Sequence, residues 1–272
     1  MDINQQKKLA AEKAAEEISS GLIVGLGTGS TVQFVLEKIS ERIKSGELKN
    51  ILCIPSSNNT ENEAKRLNIP IITLDEALKK RETANVKGET RNGNQKSEIR
   101  NQKSESNARK NSQFSILNSQ LPIDLTIDGA DEFDSELNLI KGGGGALLKE
   151  KILAQASKRL IIIADETKRS KYLGEKWPVP VEILQMALAV EKQFLESLNA
   201  NVELRKNSDG SIYLTDQNNF ILDANFGKIK NVKELATLLN QRAGIVEHGL
   251  FIGLASKILC ALSNGSIEEF SS

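Results

Sequence analysis

The sequence predicts an α/β fold, a doubly wound and mostly parallel sheet of Rossmann-like layout with a second, smaller α+β domain. Short apolar runs at 22–24, 51–54, 69–74, 123–127 and 160–163 alternate with helical patterns or loops, the rhythm of βαβ units. Each glycine-rich or acidic motif falls just after such a run, where open α/β sheets bind ligands. After residue 177 the texture changes. Strand-like runs at 179–183, 202–205, 213–214 and 220–223 surround helical patterns at 187–198 and 232–239. That reads as a small domain over 176–253. Residues 1–175 plus 254–272 form the main domain, to which the apolar tail 251–262 returns.

The chain opens on MDINQQKKLAAEKAAEEI, a charged helical pattern rather than a signal peptide. Next comes GLIVGLGTGSTV. Residues 21–24 read as a strand, 25–30 as a tight turn and 31–39 as an amphipathic helix. Strand, glycine turn and helix make half a βαβ unit, and the helix N-terminus offers free N–H groups to a phosphate. The hydroxyls of Thr28, Ser30 and Thr31 add donors. A dinucleotide fingerprint fails here, because its third glycine falls on Ser30 and no acid follows the next strand-like run. A P-loop fails too, since no lysine follows the glycines. A monophosphate cradle passes both tests.

Residues 79–120 differ from the rest. They hold ten Lys or Arg, four Glu and seventeen Asn, Gln or Ser, with seven apolar residues and the near-repeat NQKSEIR/NQKSESN. Such a composition cannot repay the entropy of ordering and predicts a disordered insertion. Its net charge is +6, which leaves the body at −6 in a chain with 36 basic and 36 acidic residues. One aromatic and interspersed acids argue against a nucleic-acid tail.

The stretch DGADEFDSELNLIKGGGGALLKEK at 128–151 carries most of the chemistry. Asp128 and Asp131 stand where a buried strand gives way to a loop. Lys141 precedes Gly142, Gly143, Gly144 and Gly145, a backbone that can approach a ligand closely. Residues 146–156 read as a helix whose first turn can face an anion. Glu150 aligns with Ala146 and Ala154 at four-residue spacing and so can face inward. Acids, a cation, an anion-ready helix start and one base suit proton transfer on an anionic metabolite.

In order along the chain, GLGTGST (25–31), Ser56–Ser57 with Thr60, DGADE (128–132), KGGGGALLKEK (141–151), ADETK (164–168), PVPVE (178–182), ILD (221–223) and GIVEHGLF (244–251) resemble the A-type ribose-5-phosphate isomerases. The resemblance implies a cofactor-independent aldose–ketose isomerase acting on ribose 5-phosphate and ribulose 5-phosphate. It assigns Glu150 as the base, Lys141 and the glycine N–H groups as enediolate stabilisers, and Asp128 and Asp131 as aids to ring opening. Substrate oxygens would meet Thr28, Gly29, Ser30, Thr31, Gly129, Ala130, Gly142, Gly143 and Gly144. The phosphate would meet Lys168, with Lys7 or its neighbour Lys8. A short connection in the family stands where residues 79–120 lie here.

Bulk properties agree with a cytoplasmic metabolic enzyme whose partner is a small phosphorylated sugar. Balanced charge gives no global field for nucleic acid or membrane, and no apolar run approaches a membrane span. Cys53 and Cys260 lie in separate apolar runs without metal-like spacing, as reduced core residues would. No metal and no cofactor are expected, and a homodimer or homotetramer is. The alternative is a non-catalytic sugar-phosphate sensor. It would need no base, and the segment before Gly21 is too short for a helix-turn-helix. His248, the single histidine, is expected in a turn or subunit contact rather than as the base. Trp177 is expected to anchor packing between the domains.

Overall fold

The computed structural model describes residues 1–89 and 121–271. Five strands run parallel at its centre: β1 (Ile23–Leu26), β2 (Leu52–Pro55), β3 (Leu125–Gly129), then β6 (Leu160–Asp165) and β12 (Lys257–Ala261). A sixth strand, β13 (Ile267–Ser271), closes one edge antiparallel to β12. The order β13-β12-β6-β3-β1-β2 makes the chain move outward from β1 to β2 and then cross back to β3. A topological switch point therefore lies between β1 and β3, and open α/β sheets form their ligand crevice there, at the strand C-termini.

Helices α1 (Ile3–Ala15), α2 (Ser30–Lys44), α3 (Asn58–Arg66), α4 (Leu74–Glu89) and α5 (Leu147–Gln155) accompany this sheet. α1 starts on a capping box, in which Asp2 accepts from the Gln5 N–H and the Gln5 side chain accepts from the Asp2 N–H. An N-cap of this kind contributes about 1 kcal/mol. Its small face, Ala10, Ala11, Ala14 and Ala15, is fully buried with Val24, Val35, Ile39 and Ile163. Strand residues buried on both sides, such as the LIIIAD of β6, are what a sheet covered on two faces requires.

Two smaller sheets complete the molecule. β7 (Val179–Ile183), β8 (Asn201–Leu204), β9 (Phe220–Asn225) and β10 (Ile245–His248) form an antiparallel sheet in the order β10-β7-β9-β8. It packs with α6 (Leu188–Ser197) and α7 (Val232–Asn240) around Val181, Leu195, Leu222 and Leu239. β4 (Glu132–Phe133), β5 (Leu139–Ile140) and β11 (Leu250–Phe251) form a three-stranded ribbon in the order β11-β5-β4. Among the described residues, no helix is long and apolar enough to cross a membrane.

Some local expectations needed correction. Residues 69–74 form no strand: Ile71 makes a single bridge to Cys53. Pro70 has no N–H to donate, and Thr73 instead caps α4 with Glu76. Residues 213–214 likewise form no strand. Neither β10 nor β13 was anticipated; their alternation is too short and polar to stand out. Helix α4 also runs into the stretch read as disordered, ending at Glu89. The segment ALKKRETANVK is rich in strong helix formers, so composition that argues against a core still permits a helix. Residues 90–120 lie outside the described residues.

Within α4, Arg81 pairs with Asp124 and donates to the Pro122 carbonyl. This tie lies at the N-terminal end of β3, opposite the edge that carries the motifs. Replacing residues 84–120 with a short Gly/Ser link, Arg81 retained, should leave kcat/KM within about twofold, since loop-closure cost changes slowly with length. Steady-state assay of the shortened chain checks this; a large loss would place the segment in the working enzyme.

Candidate active site

Asp128, Lys141 and Glu150 come together because three local structures end at the same place. β3 delivers Asp128 beside the turn that follows β1, where its Oδ1 accepts from the N–H groups of Thr28 (3.1 Å) and Gly129 (2.7 Å). Gly27 has to be glycine, since a Cβ there would lie 2.0 Å from Asp128 Oδ1. The β4–β5 pairing of Glu132 with Ile140 brings the flanking residues Asp131 and Lys141 together. Asp131 N–H donates to the Ile140 carbonyl, and Lys141 N–H to the Gly249 carbonyl. After the glycines, α5 turns Glu150 inward, between the buried Ala146 and Ala154.

Lys141 is the hub. Its ammonium donates to the Gly129 carbonyl at 2.8 Å, and lies 3.0 Å from Asp128 Oδ2 and 3.3 Å from Glu150 Oε1. All three side chains are 4% exposed or less. Burial alone would lower the pKa of Lys141, but Asp128, Glu150 and Asp131 outweigh it and hold the ammonium above its ordinary range. Burial pushes Glu150 up to about 8, opposed by Lys141 and assisted by Asp128 and Asp131. Burial also raises Asp128 against the pull of Lys141. More carboxylates than cations share this dry volume, so protons are held by the cluster as a whole. Glu150 Oε2 is buried and has no partner among the described residues.

Lys141 and Glu150 line a cleft of about 100 Å³, together with Lys7, Thr28, Gly29, Ser30, Thr31, Gly129, Ala130, Asp131, Gly142, Gly143, Gly144 and Lys168. Of the site residues expected from the sequence, Asp128 is buried just behind Lys141, and Gly145 and Lys8 also stand outside the lining. Thr28 Oγ1 sits among the hydroxyls of Ser56 (2.9 Å), Ser57 (2.9 Å) and Thr60 (3.3 Å). Lys7 donates to Ser30 Oγ at 3.0 Å, whereas Lys8 faces solvent beside Glu12. Of the two, Lys7 lines the cleft. Lys168 enters from the turn after β6, its ammonium 5.2 Å from the Trp177 ring. Trp177 itself is partly buried against the core of the antiparallel sheet.

His248 stays out of the cleft. It ends β10, buried, and its Nδ1 accepts from the Leu250 N–H across a turn. Burial first, and the Lys151 charge second, lower its pKa to about 3. A neutral ring in that place fits the expected turn rather than a base. Among the described residues, no group of three or more His, Cys, Asp or Glu is arranged to hold a metal ion.

Sequence reasoning passed over a set of outer contacts. Glu132 is wholly buried and accepts from the N–H groups of Gly174, Glu175, Lys176 and Trp177, fixing the segment that ends at the Lys168 platform. Arg205, Tyr213 and Asp216 reach the glycine run and α5 from the β8–β9 side. Arg205 donates to the Gly142 and Gly143 carbonyls, Tyr213 to the Gly144 carbonyl, and Asp216 pairs with Lys149 at 2.8 Å. The ILD motif gave a signal, because its Asp223 pairs with Arg205. Arg205 itself lies in no motif.

A buried carboxylate with a free oxygen, a lysine against it and two glycine-rich loops thus share one cleft, an arrangement suited to proton transfer on a small anion. The family comparisons name that class. The chain matches the family model of ribose 5-phosphate isomerase A (phosphoriboisomerase A) over residues 100–265. It is 43% identical to the ribose-5-phosphate isomerase A of Desulfatibacillum aliphaticivorans, across 96% of this chain and 95% of that one. The solved ribose 5-phosphate isomerase of Plasmodium falciparum superimposes with a TM-score of 0.79 at 35% identity, covering 99% of each chain. A solved D-ribose-5-phosphate isomerase in complex with phospho-erythronic acid gives 0.81 at 30% identity, covering both chains fully. The chain belongs to the ribose 5-phosphate isomerase A family and is an aldose–ketose isomerase.

Removing the hub cation exposes the balance it keeps. Lys141→Met leaves buried carboxylates uncompensated, a loss of about 3–5 kcal/mol when they are charged. Glu150, already raised from 4.5 to about 8, should then hold its proton to higher pH still. An acid with a raised folded-state pKa contributes stability at low pH that is lost as pH rises through that pKa. The Tm deficit of Lys141→Met should therefore stay level between about pH 5 and pH 8, where both proteins keep Glu150 protonated, and widen above about pH 8, where only the variant does. Thermal melts across that range check it, and a constant deficit would contradict the coupling.

Proposed function

We propose that this chain interconverts D-ribose 5-phosphate and D-ribulose 5-phosphate, a step of the non-oxidative pentose phosphate pathway, with Glu150 as the proton carrier. The observation that carries the reading is the unpartnered Glu150 Oε2 at the cleft wall, with Oε1 3.3 Å from Lys141. In the open-chain aldose, Oε2 takes the proton from C2 while the C1 carbonyl gains negative charge. The resulting enediolate is stabilised by the Lys141 ammonium and by N–H groups of the glycine run. Asp131, on the cleft, assists ring opening and moves the hydroxyl proton between O2 and O1, while Asp128 holds the Lys141 ammonium from behind. Glu150 then returns its proton to C1, giving the ketose.

The raised pKa of Glu150 suits the task, because a base matched to the working pH combines adequate basicity with availability. At the other end, Lys7 and Lys168 supply cations for the phosphate, and the N-terminus of α2 adds its free N–H groups at Ser30 and Thr31. A relative's complex with phospho-erythronic acid supports the same chemistry. A phosphorylated carboxylic acid shares with the enediolate a planar anionic group that presents two oxygens on one side. A small phosphorylated sugar is thus the proposed partner, in a cytoplasmic homodimer or homotetramer, with no cofactor.

Glu150→Gln keeps the shape and hydrogen bonding but cannot accept a proton, so kcat should fall by at least about 10²-fold. Near-normal turnover in this variant would reject the base. The acid limb of kcat/KM offers an independent check. Activity needs the carboxylate form, so it should climb with pH through a value far above 4.5 and towards the pKa of about 8. A limb at the ordinary carboxylate value would contradict the buried base. Chelator treatment should leave the wild-type rate unchanged.

A further inference from the structure

The carbonyls of Gly142 and Gly143 turn away from the cleft, and one guanidinium receives both. Arg205 Nη1 donates to them at 2.8 and 3.1 Å. The rest of the fork is committed to Asp223: Nε donates to Oδ2 at 2.9 Å, and Nη2 binds Oδ1. Both side chains are mostly buried. A trans peptide is planar, with its N–H opposed to its C=O. Fixing a carbonyl outward therefore fixes the following N–H inward. In the first peptide that N–H belongs to Gly143 and meets Asp131 Oδ2 at 2.7 Å. In the second it belongs to Gly144, which lines the cleft and whose N–H has no partner among the described residues.

We propose that Arg205, oriented by Asp223, is a positioning residue for the isomerisation: its grip on the Gly142 and Gly143 carbonyls directs the Gly144 N–H at the developing enediolate oxygen. The inference rests on the proton-transfer reading above. Glycines have little preference of their own, so a run of four needs an external constraint to present one N–H reliably. Asp131 constrains the first peptide from inside, Arg205 both from outside, and Tyr213 the Gly144 carbonyl at 3.2 Å. Arginine is required because only a planar fork can bind a carboxylate with one edge and carbonyls with the other. The small antiparallel sheet, which contributes no cleft-lining group to the site, acquires a role in catalysis through this contact.

The test is kinetic. Arg205→Ala should lose kcat on the order of 10²-fold, the scale of a misplaced catalytic group, with KM changed far less. Inhibition by inorganic phosphate, which needs only the far end of the cleft, should be unaltered. Affinity for phospho-erythronic acid should fall with kcat. Added guanidinium ion at low concentration should restore part of the lost kcat, while matched sodium chloride should not. Arg205→Lys keeps the stem and charge but not the fork, and should fold while still losing kcat. Wild-type kcat in either folded variant overturns the proposal. So does a loss that guanidinium cannot rescue and that weakens phosphate binding equally. Glu150→Gln assayed alongside separates the two readings. If it stays active while Arg205→Ala is impaired, the base is wrong and the positioning stands; if it is inactive while Arg205→Ala is normal, the positioning alone fails.

Discussion

One buried ammonium surrounded by more negative charge than it can neutralise sets the terms for the whole site. Lys141 meets Asp128, Glu150 and the Gly129 carbonyl within 3.3 Å, and Asp131 adds its field. A lone carboxylate at that depth would simply stay protonated, and a lone lysine would lose its proton. Together they keep the lysine charged and leave Glu150 with a proton affinity raised into the range of neutral solution. On the reading proposed above, the same cation that permits Glu150 to ionise also stabilises the enediolate's charge. Transfer of a proton onto Glu150 would free the ammonium from one partner as a new one forms on the substrate.

The fold serves this cluster by delivering each member from a different element. β3 ends on Asp128, the β4–β5 ribbon brings Asp131 beside Lys141, and α5 carries Glu150. The switch point between β1 and β3 leaves room there for the GTGST turn. Cations for a phosphate arrive from still other places, Lys7 on α1 and Lys168 after β6. On the reading proposed above, the phosphate meets these lysines and the reacting carbon meets Glu150, all of which line one cleft. The antiparallel sheet works from outside, through Arg205 and Tyr213 on the glycine carbonyls.

How much of this was legible in the sequence follows from what the residues encode locally. The central strands announced themselves as runs such as LIIIAD, and Glu150 as an inward position at four-residue spacing. The glycine run and GLGTGST marked loops whose residues line the cleft. What escaped depended on long-range pairing. Arg205 acts 63 and 62 residues from the glycines it holds, and nothing near it hints at that partner. Glu132 looks like one more acid of DGADE, yet its carboxylate is spent on the N–H groups of residues 174–177. The run 69–74 is apolar enough for a strand, but Pro70 and the Thr73 cap redirect it. Composition failed at 79–89 because helix formation and core burial are separate requirements.

The proton affinity of Glu150 in the free protein is the quantity on which the chemistry turns. Difference infrared spectroscopy can follow it directly, through the carbonyl stretch of a protonated carboxyl group, in wild type against Glu150→Gln. The buried cluster predicts that the wild-type protein carries at about pH 6 a carboxyl band missing from the variant, and loses it as pH rises through the region of about 8, far above the ordinary glutamate value. If instead Glu150 is already fully ionised at pH 6, with no band that the substitution removes, then burial does not tune it and the lysine-centred cluster is not what sets the base.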